Sequence, residues 1–65
     1  MYALLEWWVR ETEHFILRSD GTIAEESKGT WTCAGTIPEG LNVLGYARVL
    51  STLPGVRVRW ALPSR

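Results

Sequence analysis

Val56-Arg57-Val58-Arg59-Trp60-Ala61-Leu62 is the stretch that decides the fold class of this chain. Val56, Val58, Trp60 and Leu62 fall at every second position, with Arg57, Arg59 and Ala61 between them. Successive strand side chains point to opposite faces, so a period of two is the signature of a half-buried strand. The spacing predicts a C-terminal strand over 56–62, with Pro63-Ser64-Arg65 as a loose tail. Just upstream the period changes. Val43, Tyr46, Ala47, Leu50 and Leu53 recur at intervals of three and four, which puts them on one side of a helix. Thr36 and Glu39 have capping-box spacing, Pro38 suits a first turn, and Leu53-Pro54-Gly55 ends the ladder. A helix is therefore expected over about 37–53. Gly40 and Gly45 are odd inside it, each costing about 1 kcal/mol relative to Ala. They imply a close backbone neighbour or a frayed first turn. Leu41 and Leu44 lie off the main stripe and form a second, weaker apolar face.

Further upstream the chain is punctuated by turns. Ser19-Asp20-Gly21 suits a three-residue hairpin loop, and Ser27-Lys28-Gly29 suits a second turn leading into Thr30-Trp31-Thr32-Cys33. The first 18 residues satisfy both periods. As a helix, Tyr2, Leu4, Leu5, Trp8, Val9, Thr12, Phe15 and Ile16 share an arc opposite Glu6, Arg10, Glu13 and His14. As strands, Ala3, Leu5, Trp7 and Val9 share a face, and Phe15 to Arg18 feeds the Asp20-Gly21 turn. Aromatic and β-branched content favours strands, and so does the need of Thr22 to Glu26 for a partner. The expected architecture is a single small α+β domain over residues 1–65. An antiparallel sheet of short strands carries one helix packed on a face.

Composition narrows what such a domain can be. A chain of 65 residues buries only about 60% of its unfolded surface, so its core is marginal unless something supplements it. One Cys excludes an intrachain disulfide, and one His with one Cys cannot form a four-ligand zinc site. No metal or cofactor is expected. Four Trp leave dense aromatic packing and self-association as the remaining supplements. The N-terminus has no basic segment or small-residue cleavage site, and no apolar run nears the roughly 18 residues of a membrane span. With one unpaired Cys, these features point to a reducing, cytoplasmic location away from membranes. Net charge is zero, yet residues 1–33 hold six acids against three bases, and residues 34–65 hold Glu39 against Arg48, Arg57, Arg59 and Arg65. The halves are expected to pair their charges across neighbouring strands rather than form a bipolar docking surface.

Chemistry-bearing residues are few. His14 and Cys33 are the minimum for thiol catalysis, but no nucleophile motif surrounds them. They are expected to be a surface imidazole and a small buried thiol, and no enzyme activity is expected. The glycine-rich Gly35-Thr36-Ile37-Pro38-Glu39-Gly40 lacks a following Lys and carries a carboxylate that repels anions, so turn and cap chemistry explains it better than phosphate binding. Glu25 and Glu26 would point to opposite faces of a strand and are expected to guard a solvated edge. Of Trp7 and Trp8, one ring must enter the core and the other must lie outside it. An exposed indole marks a contact surface, and the expected interaction residues are Trp7, Trp8, Leu41 and Leu44. The function expected is a non-enzymatic protein–protein interaction or accessory module that self-associates through surplus aromatic surface or binds a protein partner. The alternative is a small nucleic-acid binder using Arg48, Arg57 and Arg59. Two features oppose it: Trp60 lies on the valine face, away from the arginines, and the chain is neutral.

Overall fold

Both periods of the N-terminal segment cannot be satisfied at once, and in the computed structural model, which describes residues 2–61, the period of two prevails. The chain forms β1 (Ala3–Val9), β2 (Glu13–Arg18), β3 (Thr22–Ser27), β4 (Thr30–Thr36), α1 (Val43–Ser51) and β5 (Val56–Trp60). The five strands make one antiparallel sheet in the order β4-β3-β2-β1-β5. Three hairpins build β1 to β4 as a meander. The helix then carries the chain back to the far edge, where β5 pairs with β1 from Leu5↔Trp60 to Val9↔Val56. The domain is α+β, as its residue periods predict.

The turns show why two of the hairpins are legible in the sequence and one is not. Asp20 Oδ1 accepts from the Thr22 amide at 3.0 Å and from its hydroxyl at 2.6 Å, a local bond that favours a turn over helix. Lys28 and Gly29 both have positive φ, 54° and 81°, as a tight hairpin requires. The β1–β2 connection at Arg10-Glu11-Thr12 has no Gly, Asn, Asp or Pro. Arg10 and Glu11 nevertheless occupy the left-handed region, at φ 55° and 62°. Strand pairing on either side imposes this conformation, and the Arg10 amide donates to the Gly55 carbonyl at 2.8 Å to hold it.

The helix is shorter than its apolar spacing suggests. Thr36 ends β4, and Gly40 at φ 88° interrupts any helix begun near residue 37. The helix starts instead after Asn42, whose Oδ1 accepts from the Gly45 amide at 2.8 Å. Gly45 leaves room for that cap, since a Cβ there would lie 3.3 Å from both Asn42 Oδ1 and Leu41 Cδ2. Leu53 falls beyond the helix and is exposed. At the C-terminus β5 stops at Trp60; Leu62 and the tail from Pro63 to Arg65 lie outside the described residues.

The helix covers one face of the sheet, over β1 and β5. Leu5, Trp7, Leu17, Ile23, Ala47 and Leu50 form the core, with Val9, Phe15, Ile37, Val43, Tyr46, Val56 and Val58 packed against it. Trp7 is 4% exposed. Its indole stacks on Phe15 (centroids 5.5 Å apart, planes at 12°) and meets Tyr46 edge-on at 5.5 Å and 83°. Such pairs add about 0.5–1.5 kcal/mol each beyond the area they bury.

Left-handed backbone at a non-glycine residue is costly, by roughly 1–2 kcal/mol, part of which glycine returns through its extra freedom when unfolded. Glu11→Gly is therefore expected to stabilise the domain by about 0.5–1 kcal/mol, raising the thermal midpoint by several degrees. A midpoint that falls would show that the Glu11 side chain contributes more than its backbone costs.

Candidate functional site

Among the described residues no element covers the face opposite the helix, and strand register sets that face's residues in two rows. One row crosses all five strands as Arg57, Trp8, His14, Glu26 and Trp31. The next reads Arg59, Glu6, Ile16, Ala24 and Cys33. The rings of the first row stand against one another. His14 stacks on Trp8 at 4.7 Å with planes 3° apart, and Trp31 meets His14 edge-on at 5.2 Å. From β5, the Arg57 guanidinium lies 4.7 Å from the Trp8 ring centroid and that of Arg59 lies 5.6 Å away, a cation–π arrangement. Guanidinium, indole, imidazole and indole thus form a continuous layer that shields the open side of the sheet.

Alongside the rings, across the two rows, lies a charged cluster. Glu6 is 8% exposed and has both oxygens engaged. Oε1 faces His14 Nε2 at 2.9 Å, while Oε2 accepts from Arg59 through Nε at 2.8 Å and through a terminal guanidinium nitrogen. His14 Nδ1 faces Glu26 Oε1 at 3.2 Å, so a carboxylate stands at each ring nitrogen. Burial by itself would raise the Glu6 carboxyl. The bonds and charges of His14 and Arg59 outweigh it and hold the group below its ordinary value of 4.5. The Glu6–Arg59 pair joins the acidic N-terminal half to the basic C-terminal half, the cross-strand pairing that the charge distribution suggests.

Several expected site residues fall elsewhere. Trp7 is core, so of the tryptophan pair only Trp8 reaches the open face, half-buried in its layer. Leu44 is 52% exposed and Leu41 half-buried, but both belong to the helix side. They form no common surface with Trp8. Arg48 is in the last turn of the helix, across the sheet from Arg57 and Arg59. Cys33 is exposed rather than packed, because β4 is an edge strand without a covering element. His14 and Cys33 share the open face but lie two strands apart, about 10 Å in sheet spacing, beyond the reach a thiol–imidazole pair needs. Glu25 and Glu26 do point to opposite faces, but β3 is an interior strand, so they guard no edge. Trp31, 39% exposed, was the residue that spacing missed. Its even separation from Cys33 places both on one face, but only the β3–β4 register brings that face level with Trp8 and His14.

Among the described residues, no group of three or more His, Cys, Asp or Glu is placed to hold a metal ion, and no helix is long and apolar enough to cross a membrane. A shallow depression of about 300 Å³ lies where Trp8, Arg10, Glu11, Gly55, Val56 and Arg57 meet, and one of about 250 Å³ adjoins it along Trp8, Arg57, Val58 and Arg59. Compared with known proteins, the chain matches no family model, no curated protein and no solved structure.

Glu6 has a folded value below its unfolded one, so its stabilisation is complete above about pH 4.5 and is lost as the pH falls through the lowered value. Glu6→Gln is expected to cost about 1 kcal/mol at neutral pH, below the range for a buried pair because Arg59 is mostly exposed. Urea titrations of both proteins from pH 7 to 3 should show the difference constant at first and then shrinking below pH 4.5. A difference that persists to pH 3 would mean that Glu6 acts through packing and not through charge.

Proposed function

We propose that this chain is a non-enzymatic protein-interaction module of the cytoplasm, self-associating through the surplus aromatic surface of its open sheet face. The observation that carries this reading is the one-sided covering of the sheet. The helix buries one face, and the other keeps Trp8 beside two arginines and Trp31 at the far edge strand. Aromatic residues and arginine are the side chains enriched where proteins dock. A small core with no disulfide gains stability from any contact that removes such surface from water. Of the two open-face indoles, Trp31 at the rim is the more available to a partner, since Trp8 is flanked by His14 and the guanidinium groups.

Sedimentation or light scattering at micromolar concentration is expected to report a dimer or larger species. Trp31→Ser, on the exposed edge strand, should weaken assembly about tenfold or more while leaving the fold intact, as truncation of an interface aromatic does. A clean monomer at high concentration removes self-association and leaves only an external protein partner.

A nucleic-acid reading gains one specific support. The strand arginines share their face with Trp8 and Trp31, so the position of Trp60 no longer opposes it. The neutral chain and the covered ring faces of Trp8 still do. Nucleic-acid binding of this kind requires phosphate contacts. The double variant Arg57→Ala, Arg59→Ala should then lose affinity for a single-stranded oligonucleotide and show a shallower salt dependence. No binding by the wild-type protein at low salt ends the alternative.

A further inference from the structure

We propose that β4 is the self-association edge, pairing antiparallel with β4 of a second copy about a two-fold axis at Thr32 to make one ten-stranded sheet. The proposal rests on self-association but sets the contact along the β4 edge, at the Trp31 rim of the open face, and leaves the middle of that face uncovered.

The two edges of the sheet differ in kind. β5 carries Arg57 and Arg59, and pairing it with itself about Val58 would set these cations opposite each other. Like charges directly opposed across strands are destabilising, and charged side chains are a common guard on an edge. β4, Thr30-Trp31-Thr32-Cys33-Ala34-Gly35-Thr36, has seven residues, no charge and no proline, and among the described residues no element covers it. Every other strand carries at least one charged side chain. The acidic pair that could have guarded the edge, Glu25 and Glu26, lies one strand inward. A neutral, threonine-rich edge presents unpaired amides and carbonyls in strand geometry, and another copy of itself meets no repulsion there.

Register follows from the bulge and from the two faces. Cys33 pairs with Ala24 and Gly35 with Ile23, so Ala34 has no partner and the regular ladder runs only from Thr30 to Cys33. A two-fold axis perpendicular to the sheet keeps open face beside open face, so residues that pair must share a face. Centred on Thr32, the axis sets Trp31 opposite Cys33 of the second copy and Thr30 opposite Ala34, all within β4. Centred on Trp31, it would run the pairing into the Lys28-Gly29 turn. The Thr32 axis also brings the Trp31 and Cys33 positions of the two copies side by side on the open face and leaves Trp8 untouched.

Thr32 is exposed, with Glu25 beside it on β3 in both copies and the second copy's Thr32 across the axis, so opposite charge substitutions there, compared singly and mixed, test the contact. T32K and T32E should each fold, by circular dichroism, yet sediment as monomers at concentrations where the wild type is dimeric. An equimolar mixture of the two should restore the dimer. T32V should dimerise as the wild type does, and so should Trp8→Ser. Dimers of T32K alone would overturn the edge pairing while leaving self-association through the open face in place. A mixture that stays monomeric would overturn the Thr32 axis. A wild-type monomer would overturn the edge pairing together with self-association.

Discussion

The pairing of the first strand with the last is the constraint on which the rest of the structure depends. β1 is hydrogen-bonded on both sides, to β2 and to β5, and it also lies under the helix. Joining residues some fifty positions apart carries the loop-closure cost that limits sheets built from distant segments. Contacts on both faces offset it. On one, Trp7 and Val58 pack beneath the helix; on the other, Glu6 binds Arg59 and Trp8 lies under Arg57. Without β5 the helix would have no second strand to cover, and the Glu6 carboxylate would keep only His14.

The adjacent Trp7 and Trp8 divide these tasks because neighbouring strand residues face opposite ways. Trp7 supplies the aromatic centre of the core, stacked on Phe15 and met edge-on by Tyr46. Trp8 supplies the middle of a stacked layer that stands in for a second helix. That layer accounts for how a five-stranded sheet with one naked face exists in a chain of this size. The open face is also partly polar: two guanidinium groups stand over Trp8, and carboxylates of Glu6 and Glu26 face the two ring nitrogens of His14.

The edges follow from the same topology. A meander of four strands followed by a helical return leaves β4 and β5 outermost, and the sequence treats them differently. β5 carries arginines that bind inward to Trp8 and Glu6 and also discourage strand addition. β4 carries threonines and a bulge at Ala34, with nothing to repel a neighbour over Thr30 to Cys33. The exposed Trp31 and the exposed Cys33 thiol are consequences of that edge position.

Local pattern alone determined much of this protein. The alternation of Val56 to Trp60 fixes a strand, the three-and-four spacing of Val43 to Leu50 fixes a helix, and the Asp20-Gly21 and Lys28-Gly29 turns fix two hairpins. Each of these signals is complete within a few residues, so no distant contact is needed to read it. The alternation also shows that Trp7 and Trp8 must part. Tertiary structure decided the rest. The Arg10-Glu11 turn has no local chemistry to announce it, so the first 18 residues fit the helical period as well as the strand period, and composition only favours strands until β5 and β2 clamp β1 between them. The helix start moved from Thr36 to Asn42 because β4 claims Thr36 for its ladder. Cys33 lies open and Glu25 and Glu26 lie inside because strand order, which no single strand encodes, makes β4 the edge. The open-face row of Arg57, Trp8, His14, Glu26 and Trp31 draws one residue from each of five strands. Only the register of all four pairings brings them level, since a slip of one residue in any pairing would send its side chains to the other face.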